Sequence, residues 1–176
     1  MKRFYLTKEE YSLRAFREWC GNYEFLLKPK YISLTDLSEC SEEDEEIKML
    51  NQKMREEFLK RSEKYLIKKI PHEHWYGHSY EKANVYVFCY DEKFFKVIEN
   101  YTPYLLLSDP DGSSCLSFPQ DINIFRENGN LLLGTVSHEG IADLFIEENE
   151  AESIALPKEF CEGSYIWKIT KLPNLE

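Results

Sequence analysis

Apolar and polar positions along this chain follow two rhythms, a helical one in the first part and an alternating one later. Tyr11, Ala15, Phe16 and Trp19 recur at helical spacing and form one face. Thr7 followed by Glu10 has the form of a capping box, in which each side chain satisfies a free backbone N–H. Gly21 is placed to end the run in a left-handed conformation. The pattern predicts a helix from about Lys8 to Cys20. A second helical run is longer. Ser41 precedes the acidic turn EEDEE, residues 42–46, which complements the positive end of a helix dipole. Ile47, Leu50, Met54, Phe58 and Tyr65 follow at steps of three, four or seven, and Lys60, Arg61, Lys64, Lys68 and Lys69 come late. This order predicts one long helix over about 42–69, stopped by Pro71.

Between the two helices, Phe25 to Leu27 suggests a short strand, and Pro29 argues against a central strand through that point. Beyond Pro71 the rhythm changes. NVYVFCY, residues 84–90, is rich in β-branched and aromatic residues. KFFKVIENY fits a strand or a short helix. YLLLS ends at the DPDG turn, residues 109–112. INIFRENGNLLLGTVS reads as a hairpin, with Asn128-Gly129 supplying the positive φ of its turn. IADLFI extends it as a third strand, and SYIWKITKL fits a last one. Helices first and strands later define an α+β fold. The expected architecture is N-terminal helices, one of them long, packed on a mainly antiparallel β-sheet formed by the C-terminal half. Residues 1–176 form a single domain in this reading.

Composition supports a packed core. The chain has 176 residues, 43% hydrophobic and 15% aromatic, too apolar for a disordered protein. The formal net charge is −10, concentrated in residues 31–60 and 121–150. Nucleic acid and anionic membranes need a basic face, so neither is the expected partner. A basic protein is. The carboxylates expected to meet it are Glu42, Glu43, Asp44, Glu45, Glu46, Glu147, Glu148 and Glu150. Oligomeric state has no signal. Five cysteines (Cys20, Cys40, Cys89, Cys115, Cys161) without C-x-x-C spacing suggest reduced thiols. MKRFYLTKEEY has no apolar leader core, and no run approaches the roughly 20 apolar residues of a membrane span. The expectation is a cytoplasmic protein.

Three of the four histidines fall in PHEHWYGHSY, residues 71–80. His72 and His74 would share one side of an extended segment, and His78 could close on them across Gly77. That spacing is the chain's nearest approach to a zinc site, yet it lacks H-E-x-x-H, a cysteine pair and a further ligand. The expectation is aromatic packing, with no metal and no cofactor. Ser137, His138 and Glu139 hold the residue types of a hydrolase triad. Adjacency in sequence does not make one, and no G-x-S-x-G elbow is present. Cys115, in DGSSC, sits in a turn where a structural thiol is commoner than a nucleophile. The expected function is therefore non-enzymatic protein binding. Small size and acidity resemble bacterial immunity proteins in general style, although no motif carries a family assignment. The alternatives are a small metal-dependent or hydrolytic enzyme built on His72, His74 and His78, and a structural component of a larger assembly.

Overall fold

A computed structural model describes residues 1–8, 10–36, 45–72, 83–106, 120–164 and 171–172. Its centre is an eight-stranded sheet. The strands are β1 (Lys2–Leu6), β2 (Pro29–Asp36), β3 (Leu66–His72), β4 (Ala83–Cys89), β5 (Gln120–Arg126), β6 (Leu131–Val136), β7 (Ile141–Ile146) and β8 (Phe160–Gly163). They lie in the order β3-β4-β2-β5-β6-β7-β1-β8, and every recorded pairing is antiparallel. The helices are α1 (Leu13–Asn22), α2 (Glu24–Leu27), α3 (Glu45–Ser62), α4 (Glu92–Glu99) and α5 (Glu148–Ala151).

The α+β class and the antiparallel sheet agree with the sequence. The segregation of helices before strands holds only in part, because β1 and β2 both precede α3. β1 is a short KRFYL segment whose Phe4 and Leu6 are buried while Tyr5 is exposed. That two-residue rhythm is hard to see beside the stronger helical one. The first helix correspondingly starts at Leu13 rather than Lys8. Its cap is Ser12, whose hydroxyl accepts from the Ala15 N–H at 3.3 Å. Thr7 instead donates its hydroxyl to the Glu159 carbonyl at 2.8 Å. Gly21 stays inside the helix.

The long helix is also shorter than its charge order suggests. α3 ends at Ser62, a single 3-10 turn carries the chain to Tyr65, and residues 66–72 pair with β4 as β3. Helix propensity and dipole matching are each worth tenths of a kcal/mol per residue, and tertiary pairing overrides them. Pro71 is tolerated because β3 is the end strand. Pro29 meets the same rule differently: it is the first residue of β2, an internal strand. Residues 25–27 are helical, in α2. The KFFKVIENY segment forms α4, with Asp91 accepting from the Lys93 and Phe94 N–H groups at 2.7 and 3.2 Å.

One face of the sheet carries the helices. Leu13, Phe16 and Cys20 of α1, Phe94, Phe95 and Ile98 of α4, and Phe58 of α3 join Ile32, Leu34, Phe88, Ile124 and Leu144 in the main core. Phe58 anchors α3, its ring lying 5.1 Å from Tyr101 and 6.2 Å from Phe88. A buried phenylalanine is worth about 1.5–3 kcal/mol, which explains how an otherwise charged helix stays attached. The opposite face holds a second cluster of Val85, Val87, Phe125, Leu131, Val136, Phe145 and Leu172. Because both faces are covered, every residue of β5 and β6 is buried. The predicted hairpin joins these two strands. Its turn has Gly129 at φ 78° and an Asn128 side chain accepting from the Asn130 N–H at 3.0 Å. Only the glycine takes a positive φ.

Antiparallel pairing also sorts the strand ends. Pro29, Arg126, Leu131, Ile146, Lys2 and Gly163 gather at one end of the sheet, and Asp36, Gln120, Val136, Ile141, Leu6 and Phe160 at the other.

Candidate functional site

The end of the sheet marked by Pro29 and Arg126 carries the most exposed large apolar side chain of the described residues. Phe25 is 88% exposed. It stands on α2, whose single turn cannot point all its side chains the same way. Leu27 is buried completely and roots the turn in the core, so Phe25 projects outward and Leu26 is 39% exposed. The turn closes on Lys28, held at φ 47° and ψ 51°, with its N–H bonded to the Glu24 carbonyl at 2.8 Å. A lysine in the left-handed region costs roughly 1 kcal/mol, a strain that persists only where the surroundings enforce it.

Arg126 does the enforcing. Its Nη1 donates to the Leu27 carbonyl at 2.8 Å and to Glu150 Oε1 at 2.7 Å. Its Nη2 donates to the Phe145 carbonyl at 3.0 Å and to Glu150 Oε2 at 2.8 Å. Glu150 Oε2 also accepts from the Glu147 N–H at 2.9 Å, one arm of a capping box that starts α5. The neighbouring Glu127 N–H donates to the Lys28 carbonyl at 3.0 Å. One buried guanidinium thus ties the base of α2, the end of β7 and α5 together. Above it lies an open depression lined by Glu24, Phe25, Lys28, Pro29, Lys30 and Glu127.

The acidic residues singled out from sequence are dispersed by the fold. Glu148 is exposed and lies 3.6 Å from the N-terminal ammonium. Glu147 is half-buried at the start of α5, whereas Glu150 is only 8% exposed and fully engaged by Arg126. Glu150 therefore supports the site from beneath and offers nothing to a partner. Glu45 and Glu46 are exposed at the start of α3. Glu42, Glu43 and Asp44 lie outside the described residues. The described members of the two acidic groups belong to opposite ends of the sheet. Glu147 and Glu148 follow β7 at the Pro29 end, whereas α3 meets the opposite end through Arg55 Nη1 and Asp36 Oδ2, 3.0 Å apart. The carboxylates beside Phe25 include its sequence neighbour Glu24 and also Glu127, which has no signal in the sequence because only the pairing of β2 with β5 brings it there.

The histidine stretch is described only at its edge. His72 ends β3, and His74 and His78 lie outside the described residues. His138 belongs to the 3-10 turn after β6, four strands along the sheet from β3, or about 19 Å at the usual strand spacing. Ser137 is bonded to Asp121: its N–H donates to Asp121 Oδ1 at 2.7 Å, and its hydroxyl accepts from the Asp121 N–H at 3.3 Å. That reciprocal pair closes the β5–β6 end of the sheet at Asp121, itself at φ 46°. Cys20, Cys89 and Cys161 are free, Cys20 buried and the other two exposed. Cys40 and Cys115 lie outside the described residues. Among the described residues, no helix is long and apolar enough to cross a membrane.

No protein-family model matches the chain, and neither the curated proteins nor the solved structures include a significant match.

Proposed function

We propose that this chain is a non-enzymatic protein-binding module that docks a basic partner at the Phe25 end of the sheet. The exposure of Phe25 on a rigidly supported turn carries the reading. An aromatic ring held outward loses little conformational freedom on binding, and such anchors supply most of the energy of protein interfaces. Glu24 and Glu127 line the depression beside the ring together with Lys28 and Lys30, and Glu147 and Glu148 lie at the same end of the sheet. The net charge of −10 steers a basic partner towards the chain and raises its association rate. The Arg126–Glu150 pair and the strained Lys28 hold the anchor in place before the partner arrives. The most concrete form of this function is an immunity-like inhibitor that occludes a basic protein's working surface.

Photo-crosslinking tests the proposal. The photoreactive analogue p-benzoylphenylalanine replaces Phe25 in the full chain, which is irradiated in its native cell. Mass spectrometry should find one basic protein joined at position 25. The same analogue at Lys96, an exposed residue of α4, should not capture that protein. Equal capture from both positions, or an acidic product, would contradict the assignment.

A further inference from the structure

We propose a second docking site, on β3, that accepts an acidic extended segment of a protein as an added strand. β3 ends the sheet, and its one ladder among the described residues is to β4. Leu66, Ile67, Lys68 and Lys69 are all exposed, with Leu66 and Ile67 at 37% and 39%. A strand in this position presents unpaired N–H and C=O groups, and peptides use such edges by adding to the sheet.

Charge selects the occupant. Lys60, Lys64, Lys68 and Lys69 are exposed, and none of them forms an ion pair among the described residues. In a protein of net charge −10, four exposed lysines without an ion-pair partner among the described residues mark this segment out. The pairing register puts its last two lysines on opposite faces. Lys68 stands opposite Val87, on the face of the second apolar cluster. Lys69 stands opposite Tyr86, on the helix face, with its ammonium 5.3 Å from the Tyr86 ring centroid. A docked strand alternates its side chains in the same way. Two consecutive Asp or Glu residues would therefore reach Lys68 on one face and Lys69 on the other. Opposite charges across strands are favourable and like charges are not. A second copy of β3 would set lysines against lysines, so the segment disfavours self-pairing while it favours an acidic strand.

The probes are two capped octapeptides in an alternating Thr-Val background, one with a central Glu-Glu pair and one with Lys-Lys. Each is titrated into the full chain at low salt, with binding read by fluorescence anisotropy and β3 amides followed by hydrogen exchange. The Glu-Glu peptide should bind and slow exchange over residues 67–70. The Lys-Lys peptide should not. The variant Lys68→Glu/Lys69→Glu, checked for an unchanged melting temperature, should weaken Glu-Glu binding by about tenfold or more and should now bind the Lys-Lys peptide. Phe25→Ala should leave the Glu-Glu affinity unchanged, which separates this site from the one at Phe25. If the double variant melts early, Lys68→Gln/Lys69→Gln should still weaken Glu-Glu binding. Absence of Glu-Glu binding, equal binding of the two peptides, or a dimer by sedimentation that itself protects β3 would overturn the proposal.

Discussion

Arg126 and Glu150 form a two-pronged ion pair inside the protein, with Nη1–Oε1 and Nη2–Oε2 distances of 2.7 and 2.8 Å. Their side chains are only 5% and 9% exposed. Both also bond to backbone, through Leu27, Phe145 and Glu147. The pair thus connects three segments far apart in sequence. Glu150→Ala would leave a buried guanidinium without its carboxylate, a change that costs about 3–5 kcal/mol. Urea denaturation should show that loss as a lower midpoint. A change below about 1 kcal/mol would mean that the pair is not the support described above.

The opposite face of the sheet holds a hydroxyl with the reverse expectation. Thr35 is completely buried, and its Oγ1 has no hydrogen-bond partner among the described residues. Its cross-strand neighbours Val85 and Gln120 flank it on either side. An unsatisfied buried polar group costs about 1–3 kcal/mol, and valine has nearly the same shape. Thr35→Val should therefore raise stability by about 1 kcal/mol. Calorimetric melting measures this directly, and a fall of similar size would show that the hydroxyl is bonded in solution.

Burial separates the cysteines and produces a defined alkaline limit. Burial raises the Cys20 thiol from 9.0 to about 11, against the lowering effect of its hydrogen bond from Tyr90. Burial, with Glu159 assisting, raises Tyr11 from 10.0 to about 12. Burial also pushes Tyr90 upward, next to Cys20. Each folded value exceeds the unfolded one, so the unfolded chain releases these protons first as pH rises. The stabilising contribution is intact below about pH 9 and is lost progressively as pH climbs through the window from 9 to 12. Urea midpoints should fall across that window. At pH 8, iodoacetamide followed by peptide mapping should label the exposed Cys89 and Cys161 and spare Cys20. Rapid labelling of Cys20 in the native protein would contradict its buried placement.

What could be read from sequence was what depends on near neighbours. Asn128-Gly129 forms its turn because the required φ of 78° is a local demand that glycine meets. The α3 helix starts in an acidic turn and has Phe58 on its buried side, and both features are local as well. Where α3 stops is not. Residues 66–70 carry late-helix charges, yet they become a strand because β4 offers a ladder. The same limit hides the candidate site. EFLL, residues 24–27, looks like any short apolar run. Which of its residues projects is decided by the core that takes Leu27, whose carbonyl is held by Arg126, about a hundred residues away in the chain. Glu150 reads as one more surface carboxylate for the same reason.

The Phe25 anchor is the central claim, and binding of the crosslinked partner, once purified, tests it most directly. Isothermal titration should compare the native chain with Phe25→Ala at low and high salt. A ring that is 88% exposed adds little to stability, so the melting temperature should stay within about 1 °C. Affinity should nonetheless fall by at least about 2 kcal/mol, roughly 30-fold, as for a hot-spot aromatic. Native-chain affinity should also weaken with salt, as acidic steering requires. Equal affinities for the native chain and Phe25→Ala would contradict the account.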